Sequence, residues 1–371
     1  MTGISSDKTL RSFNKLSIVY IVIFKINFFK NYPANNIVSN LNEFDVISKF
    51  FSRHKASSKN HPFITLSLGD DCALLQSGCR MQTAISTDTL VSGHHFLVNT
   101  LPEALAYKAL AVNLSDMAAM GATPRAFLLN LTLPEININW LERFSNELYA
   151  LADRFNILLV GGDMTRGPLA ISITIIGETP NNQALLRSQA QIGDDIWVSN
   201  QLGNARAGLA ILQAEKWVSS IPKIHHKSLI NALERPVARV ELGMKLRGIA
   251  HAAIDISDGL IGDLQHILQC SQVSAIVNVD DIPNSVALTH LAGQYRLQCM
   301  LAGGDDYELC FTVPKISKEK IRSLSNELNI SLTNIGEICS HFVNATPSIE
   351  WRNNKNQIIP ISLNSFDHFH A

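Results

Sequence analysis

Ala84–Phe96 reads AISTDTLVSGHHF: it starts as a short strand, sets Asp88 between two threonines and turns at Gly93 into His94-His95. A carboxylate flanked by hydroxyls at the edge of an apolar segment suits a hard cation and a phosphate. The pattern recurs along the chain. Acids at the ends of apolar segments are Asp70 and Asp71, Asp88, Asp116, Asp163, Asp255 and Asp258, and Asp305 and Asp306. A single Asp-Gly pair is explained as a turn or a helix cap. Six such stretches set inside apolar runs are not.

Burying an ionised carboxylate alone is costly, so it protonates or finds a cation. Lysine and arginine are scarce around Asp71, Asp88, Asp116, Asp163 and Asp255, which therefore ask for a non-protein cation. Oxygen-only ligands without a cysteine–histidine spacing favour Mg²⁺ over zinc. Mg²⁺ gathered by aspartates ordinarily neutralises substrate phosphates, which points to phosphoryl transfer. The familiar phosphate loops are missing: the sequence has no Gly-Lys pair and no G-x-G, so neither a P-loop nor a dinucleotide fingerprint is present. Gly161-Gly162 and Asp258-Gly259 are the candidate tight turns for holding a nucleotide. Arg166 and Arg187 are the candidate phosphate contacts. Adjacent histidines point apart, so His94-His95 reads as a turn or a substrate contact rather than a metal pair.

The composition fits this reading. The 371 residues suffice for two domains, and 46% hydrophobic with 17% charged residues is ordinary globular composition. A formal net charge of -1 gives no general attraction to nucleic acid or acidic membranes. The six cysteines form no C-x-x-C pair, and several lie in apolar runs, as expected in a reducing cytoplasm. The N-terminal stretch LSIVYIVIFKINFF (16–29) follows Lys8, Arg11 and Lys15, but Lys25 and Asn27 interrupt it. It falls short of the ~20 apolar residues that a membrane span needs. Residues 1–42 are accordingly expected to be an extension outside the fold.

From Glu43 onward, helices and strands are mixed without strict alternation. PEALAYKALAVNLSDMAAM (102–120) has proline at its start and Gly121 just past its end, a helix signature. FLLNLTLP, ILLV and LAISITIIG read as strands, and NWLERFSNELYALADRF as an amphipathic helix. This gives an α+β first domain over 43–185. DIWVS, HAAIDIS, AIVNVD and LTNIGEI are the strands of the second half, with helices expected over ARAGLAILQAEKW, 227–233, 237–247, LIGDLQHIL and 316–327. The second domain is placed at 186–371.

Read together, GDDCALL (69–75), ISTDTLVSGHHF (85–96), AYKALAVNLSDMAAMGATP (106–124), GGDMTRGP (161–168), IDISDGLIGDL (254–264), GGDDYELCF (303–311) and FDHF (366–369) resemble the thiamine-monophosphate kinase family. The resemblance runs from about Glu43 to the C-terminus. It separates the chain from selenophosphate synthetase, whose glycine-rich N-terminal segment with reactive cysteine and lysine is not found. The resemblance implies an α+β N-terminal domain that pairs in a homodimer and an α/β C-terminal domain, as in the aminoimidazole-ribonucleotide-synthetase-like superfamily. It also implies ATP-dependent phosphorylation of thiamine monophosphate to thiamine diphosphate, with several Mg²⁺ ions between ATP and the acids. By motif match, metal ligation falls on Asp71, Ser86, Thr87, Asp88, Asp116, Asp163, Asp255 and Asp258. ATP contacts fall on Gly162, Asp163, Arg187 and Ser257, and substrate contacts on His95, Asp305 and Phe366. Asp305 stands where the family commonly has glutamate, Phe366 where tyrosine or tryptophan is common, and Ser365 where glycine is expected. The reaction needs no general base, because a phosphate monoester with its second pKa near ~6 is mostly dianionic at neutral pH.

Overall fold

The computed structural model describes residues 42–53, 61–68, 72–341 and 346–365. Apart from Asn42, the expected extension lies outside the described residues, as do Asp70, Asp71 and Phe366. The first helix, α1 (Glu43–Phe50), starts at a reciprocal cap. Asn42 accepts from the Asp45 N–H and Asp45 accepts from the Asn42 N–H, each at 3.0 Å. A short hairpin, β1 (Ile64–Leu66) with β2 (Leu74–Leu75), leads into the first sheet.

That sheet comprises β3 (Met81–Val91), β4 (Thr123–Leu133), β5 (Leu158–Arg166) and β6 (Ala170–Pro180), ordered β3-β6-β4-β5. Its only parallel pair, β4–β5, is joined through α3 (Ile138–Arg154), as a crossover requires. The opening stretch is more regular than its sequence suggested. β3 runs for eleven residues, so Asp88 lies within the strand rather than at its end. Its β-branched run of Ile85, Thr87 and Thr89 favours this extension.

Across the sheet lies α2 (Pro102–Ala119), with Pro102 in its first turn and almost every residue buried. A helix apolar on all sides belongs in a core, and this one is packed from several directions. It contacts α3 on one side and α6 (Val240–Leu246) on another. A side chain at Gly243 of α6 would place its Cβ 2.0 Å from the Ala118 carbonyl oxygen, so only glycine permits this approach.

The second sheet is ordered β12-β9-β11-β7-β10-β8, from β7 (Asp194–Ser199), β8 (Ala252–Asp255), β9 (Ser274–Asn278), β10 (Leu309–Pro314), β11 (Leu332–Cys339) and β12 (Ile349–Arg352). All its pairings are antiparallel except β12 with β9. Around it lie α4 (Asn204–Leu212), α5 (His226–Glu234), α7 (Leu260–Ser271), α8 (Val286–Thr289), α9 (Gly293–Ala302) and α10 (Lys318–Leu328). Every strand of the four-stranded sheet ends by Pro180, and every strand of the six-stranded sheet starts at or after Asp194. One apolar cluster nonetheless spans both halves, from Leu110 and Phe127 to Leu246 and Phe311. The mixed α and β architecture agrees with the expected fold class.

Two local expectations change. Helix α4 stops at Leu212, because Ala214 takes a left-handed conformation and a separate 3-10 turn follows over Lys216–Ser220. Gly161-Gly162 is no turn but part of β5, beside a register shift in its pairing with β4. Among the described residues, no helix is long and apolar enough to cross a membrane.

Candidate functional site

Strand pleating decides what each residue of ISTDTL can do. Ser86 and Asp88 lie on the face of β3 that meets α2, opposite buried Ile175 and Ile173 of β6. There the Ser86 hydroxyl donates a short hydrogen bond to the Asp116 carboxylate, which comes from the last turns of α2. The carboxyl groups of Asp88 and Asp116 lie near enough to act on each other's protonation. One residue earlier in α2, the Ser115 hydroxyl donates to the buried Asp255 carboxylate at 2.7 Å. Asp255 ends β8, so α2 carries acids and hydroxyls from both sheets to one place.

Burial and mutual repulsion both act on this cluster. Burial, then the charges of Asp116 and Asp255, push Asp88 up to about 7. Asp255 is pushed up to about 6 by burial and by Asp116, against the opposing Ser115 hydrogen bond and the Arg187 charge. Asp116 is also raised, chiefly by burial, with Ser86 and Arg187 acting in the other direction. Arg187 itself is exposed, on a 3-10 turn between the two sheets. Asp258 adds its charge to both Asp88 and Asp263. Asp263, buried in the first turn of α7, accepts from the Asp258 and Gly259 N–H groups at 3.1 Å each and so closes this turn.

Not every expected ligand reaches this cluster. Thr87 points to the opposite face of the sheet, where its hydroxyl donates to the Ile173 carbonyl at 3.1 Å and accepts from Thr174 at 3.1 Å. Asp163 lies on β5, opposite Asn130 of β4, and β5 is separated from β3 by two strands. Three strand spacings amount to ~14 Å. Ser257 lies just past β8, its carbonyl accepting from the Asp305 N–H at 2.7 Å. Among the described residues, no three of the histidines, cysteines and acids close on a point where they could hold an ion.

The donor chemistry nevertheless fits Mg²⁺. The cluster offers only carboxylate and hydroxyl oxygens, and its carboxylates repel one another as they stand. Ligand oxygens from a polyphosphate would complete such a shell.

A cleft opens between α2, the loop after β3, α4 and α5. His95 lines it, with Nδ1 accepting from the Val91 N–H at 3.0 Å, which fixes the ring and leaves the proton on Nε2. Lys108 of α2, its side chain only 5% exposed, forms an ion pair with Asp305 at 2.7 Å. The segment that carries Asp305 is backbone-strained, with positive φ at Gly304, Asp305 and Tyr307. It is pinned by its neighbours. Asp306 accepts from the Gly203 N–H at 2.9 Å, and Glu308 accepts from Arg239 Nε and Nη2 at 2.6 and 2.5 Å.

Sequence reasoning missed Lys108, Ser115, Asp263, Arg239 and Glu308. Lys108 carried a signal: it is the single cation within the apolar run of α2. Ser115 adjoins a selected acid. The Arg239–Glu308 pairing across 69 residues left no mark in the sequence.

The AIR synthase related protein N-terminal domain model matches residues 69–179. Thiamine-monophosphate kinase of Salmonella typhimurium is 44% identical over 330 residues, covering 88% of this chain and 98% of that protein. The crystal structure of thiamine-monophosphate kinase from Stenotrophomonas maltophilia superposes with a TM-score of 0.75 at 44% identity, covering 81% of this chain and 94% of that one. A structure of AaThiL complexed with AMPPCP and TMP gives a TM-score of 0.68 at 29% identity, covering 91% of this chain and all of that one (100%).

Proposed function

The chain belongs to the thiamine-monophosphate kinase family, and on that premise we propose that it transfers the γ-phosphoryl group of ATP to the phosphate of thiamine monophosphate, giving thiamine diphosphate. The observation that carries this reading is the backbone bond that joins two different environments. The Asp305 N–H donates to the Ser257 carbonyl at 2.7 Å, linking the cleft lined by His95, Lys108 and Asp305 to the segment that carries Asp255 and Asp258. Asp255 acts on Asp88, and Arg187 acts on Asp116 and Asp255. The acids suit a metal-bound polyphosphate, and the cleft an organic acceptor.

Asp88, Asp116, Asp255 and Asp258 would hold Mg²⁺ here, with Ser86 orienting Asp116. Asp71 is assigned to the same set from its motif. The ions would neutralise the charge of two phosphate groups brought together. Arg187 would meet nucleotide phosphates, and His95 the acceptor phosphate. The chain supplies position and electrostatic relief rather than a base, since the acceptor oxygen is already ionised at neutral pH.

Asp163 and Gly162 are assigned to nucleotide contacts, although three strand spacings separate their strand from β3. A homodimer would resolve this, because β5 of a second copy could approach β3. Edge strand β3, with Ile85 67% exposed, is a surface suited to such pairing. The six cysteines are all unpaired, and three are exposed, which supports a reducing cytoplasmic setting.

The test is direct. Incubating the purified chain with ATP, Mg²⁺ and thiamine monophosphate should yield thiamine diphosphate and ADP in equal amounts. ATP turnover indifferent to thiamine monophosphate, or no product, would overturn the proposal.

A further inference from the structure

The cleft has more negative charge than its own cations neutralise. Three charged side chains line it: Lys108, Asp305 and Glu234. Lys108 is committed to Asp305 at 2.7 Å. Glu234 ends α5, half-buried, and its carboxylate makes no hydrogen bond or ion pair among the described residues. Its neighbour Arg235 faces elsewhere: the guanidinium is paired with Glu147 and sits 4.6 Å from the centre of the Tyr107 ring. Burial pushes the Glu234 carboxyl upward, while the Lys108 and Arg235 charges act in the opposite direction from a distance. The apolar walls of the cleft are formed by Leu105, Leu209, Leu212 and Leu233, with Thr100 and Gln213 as neutral polar groups.

A cleft with leucine walls and a carboxylate that has no ion-pair partner is complementary to a flat organic cation. A neutral or anionic ring would leave Glu234 desolvated without a partner, which costs binding. We propose that Glu234 is a specificity-determining residue, selecting an acceptor whose heteroaromatic ring bears a permanent positive charge. This rests on the proposed function, in which that ring is the thiazolium of thiamine monophosphate. Phosphate-directed groups and ring-directed groups then occupy separate parts of the site: His95 toward the phosphate, Glu234 toward the ring.

The experiment compares the native protein with Glu234→Gln, which keeps shape and removes charge. Two acceptors are used: thiamine monophosphate and its thiophene isostere, which has the same outline and no ring charge. The variant should raise KM for thiamine monophosphate by about tenfold with kcat little changed, the mark of lost uniform binding. KM for the neutral isostere should stay unchanged or fall. Equal effects on the two acceptors, or none on either, would overturn the inference. Thermal unfolding of the variant distinguishes a charge effect from damage to the fold, and Glu234→Asp should recover part of the preference. If the native protein phosphorylates neither acceptor, the functional reading fails by itself. The charge inference is then read from equilibrium binding of thiamine and its thiophene isostere. Preference for the cation that Glu234→Gln abolishes supports it, and any other pattern refutes it.

Discussion

Ser115 donates a hydrogen bond to Asp255 at 2.7 Å, and this contact ties the central helix to the edge strand of the six-stranded sheet. The next residue, Asp116, is bound by Ser86 of the four-stranded sheet. Two consecutive residues on one helix therefore hold an acid of one sheet, Asp255, and a serine of the other, Ser86, in a single cluster. Successive helical side chains diverge by about 100°, so one helix lying between two sheets can serve both.

Ser115→Ala tests that link. The variant leaves a fully buried carboxylate short of a donor, which costs about 1–3 kcal/mol. A lower Tm is expected, together with a weaker response of Tm to added Mg²⁺. Unchanged melting with unchanged turnover would show that Asp255 does not depend on the helix.

Asp88→Asn separates stability from activity. The native cluster is self-repelling, so removing one charge should leave Tm in metal-free buffer unchanged or raise it, by about 0.5–1 kcal/mol of stability. On the proposed function turnover should fall by ~10²-fold or more, because the lost carboxylate would hold the cation that neutralises the reacting phosphates. Asp116→Asn should reduce turnover similarly. Near-normal rates for both variants at saturating Mg²⁺ would remove these residues from the mechanism.

Lys108→Met leaves Asp305 partly buried without its cation. Breaking a buried pair from one side costs ~3 kcal/mol. Adding Asp305→Asn should recover much of that loss, since the stranded charge is then gone. A double-mutant cycle by chemical denaturation reads the coupling directly. Strict additivity of the two substitutions would mean that the 2.7 Å contact contributes nothing.

Much of this was legible in the sequence because acids in apolar runs have few explanations. The helix over 102–120 was read to within a residue, since proline, alanine-rich content and Gly121 mark its ends together. The faces of β3 were harder. Ser86, Thr87 and Asp88 are contiguous, and only the pleat shows that Thr87 turns away from the other two. Helix α9 and strand β12 escaped notice because neither carries clear periodic or turn signals. Glu234 escaped because its meaning depends on where Arg235 and Lys108 point, which no local pattern records.

Gly162→Ala probes the glycine pair that lies within β5. Gly162 has φ +144°, and an added Cβ would sit 1.9 Å from the Leu129 carbonyl oxygen. Backbone cannot yield cheaply inside a paired strand, so β5 would have to pull away from β4 at this point. A loss of at least ~2 kcal/mol in stability is expected. The displaced segment includes Asp163, and ATP affinity should fall further than stability alone explains. Measuring ATP binding well below the variant's Tm separates the two effects. Native affinity in a folded Gly162→Ala protein would show that this close approach serves packing and not the nucleotide.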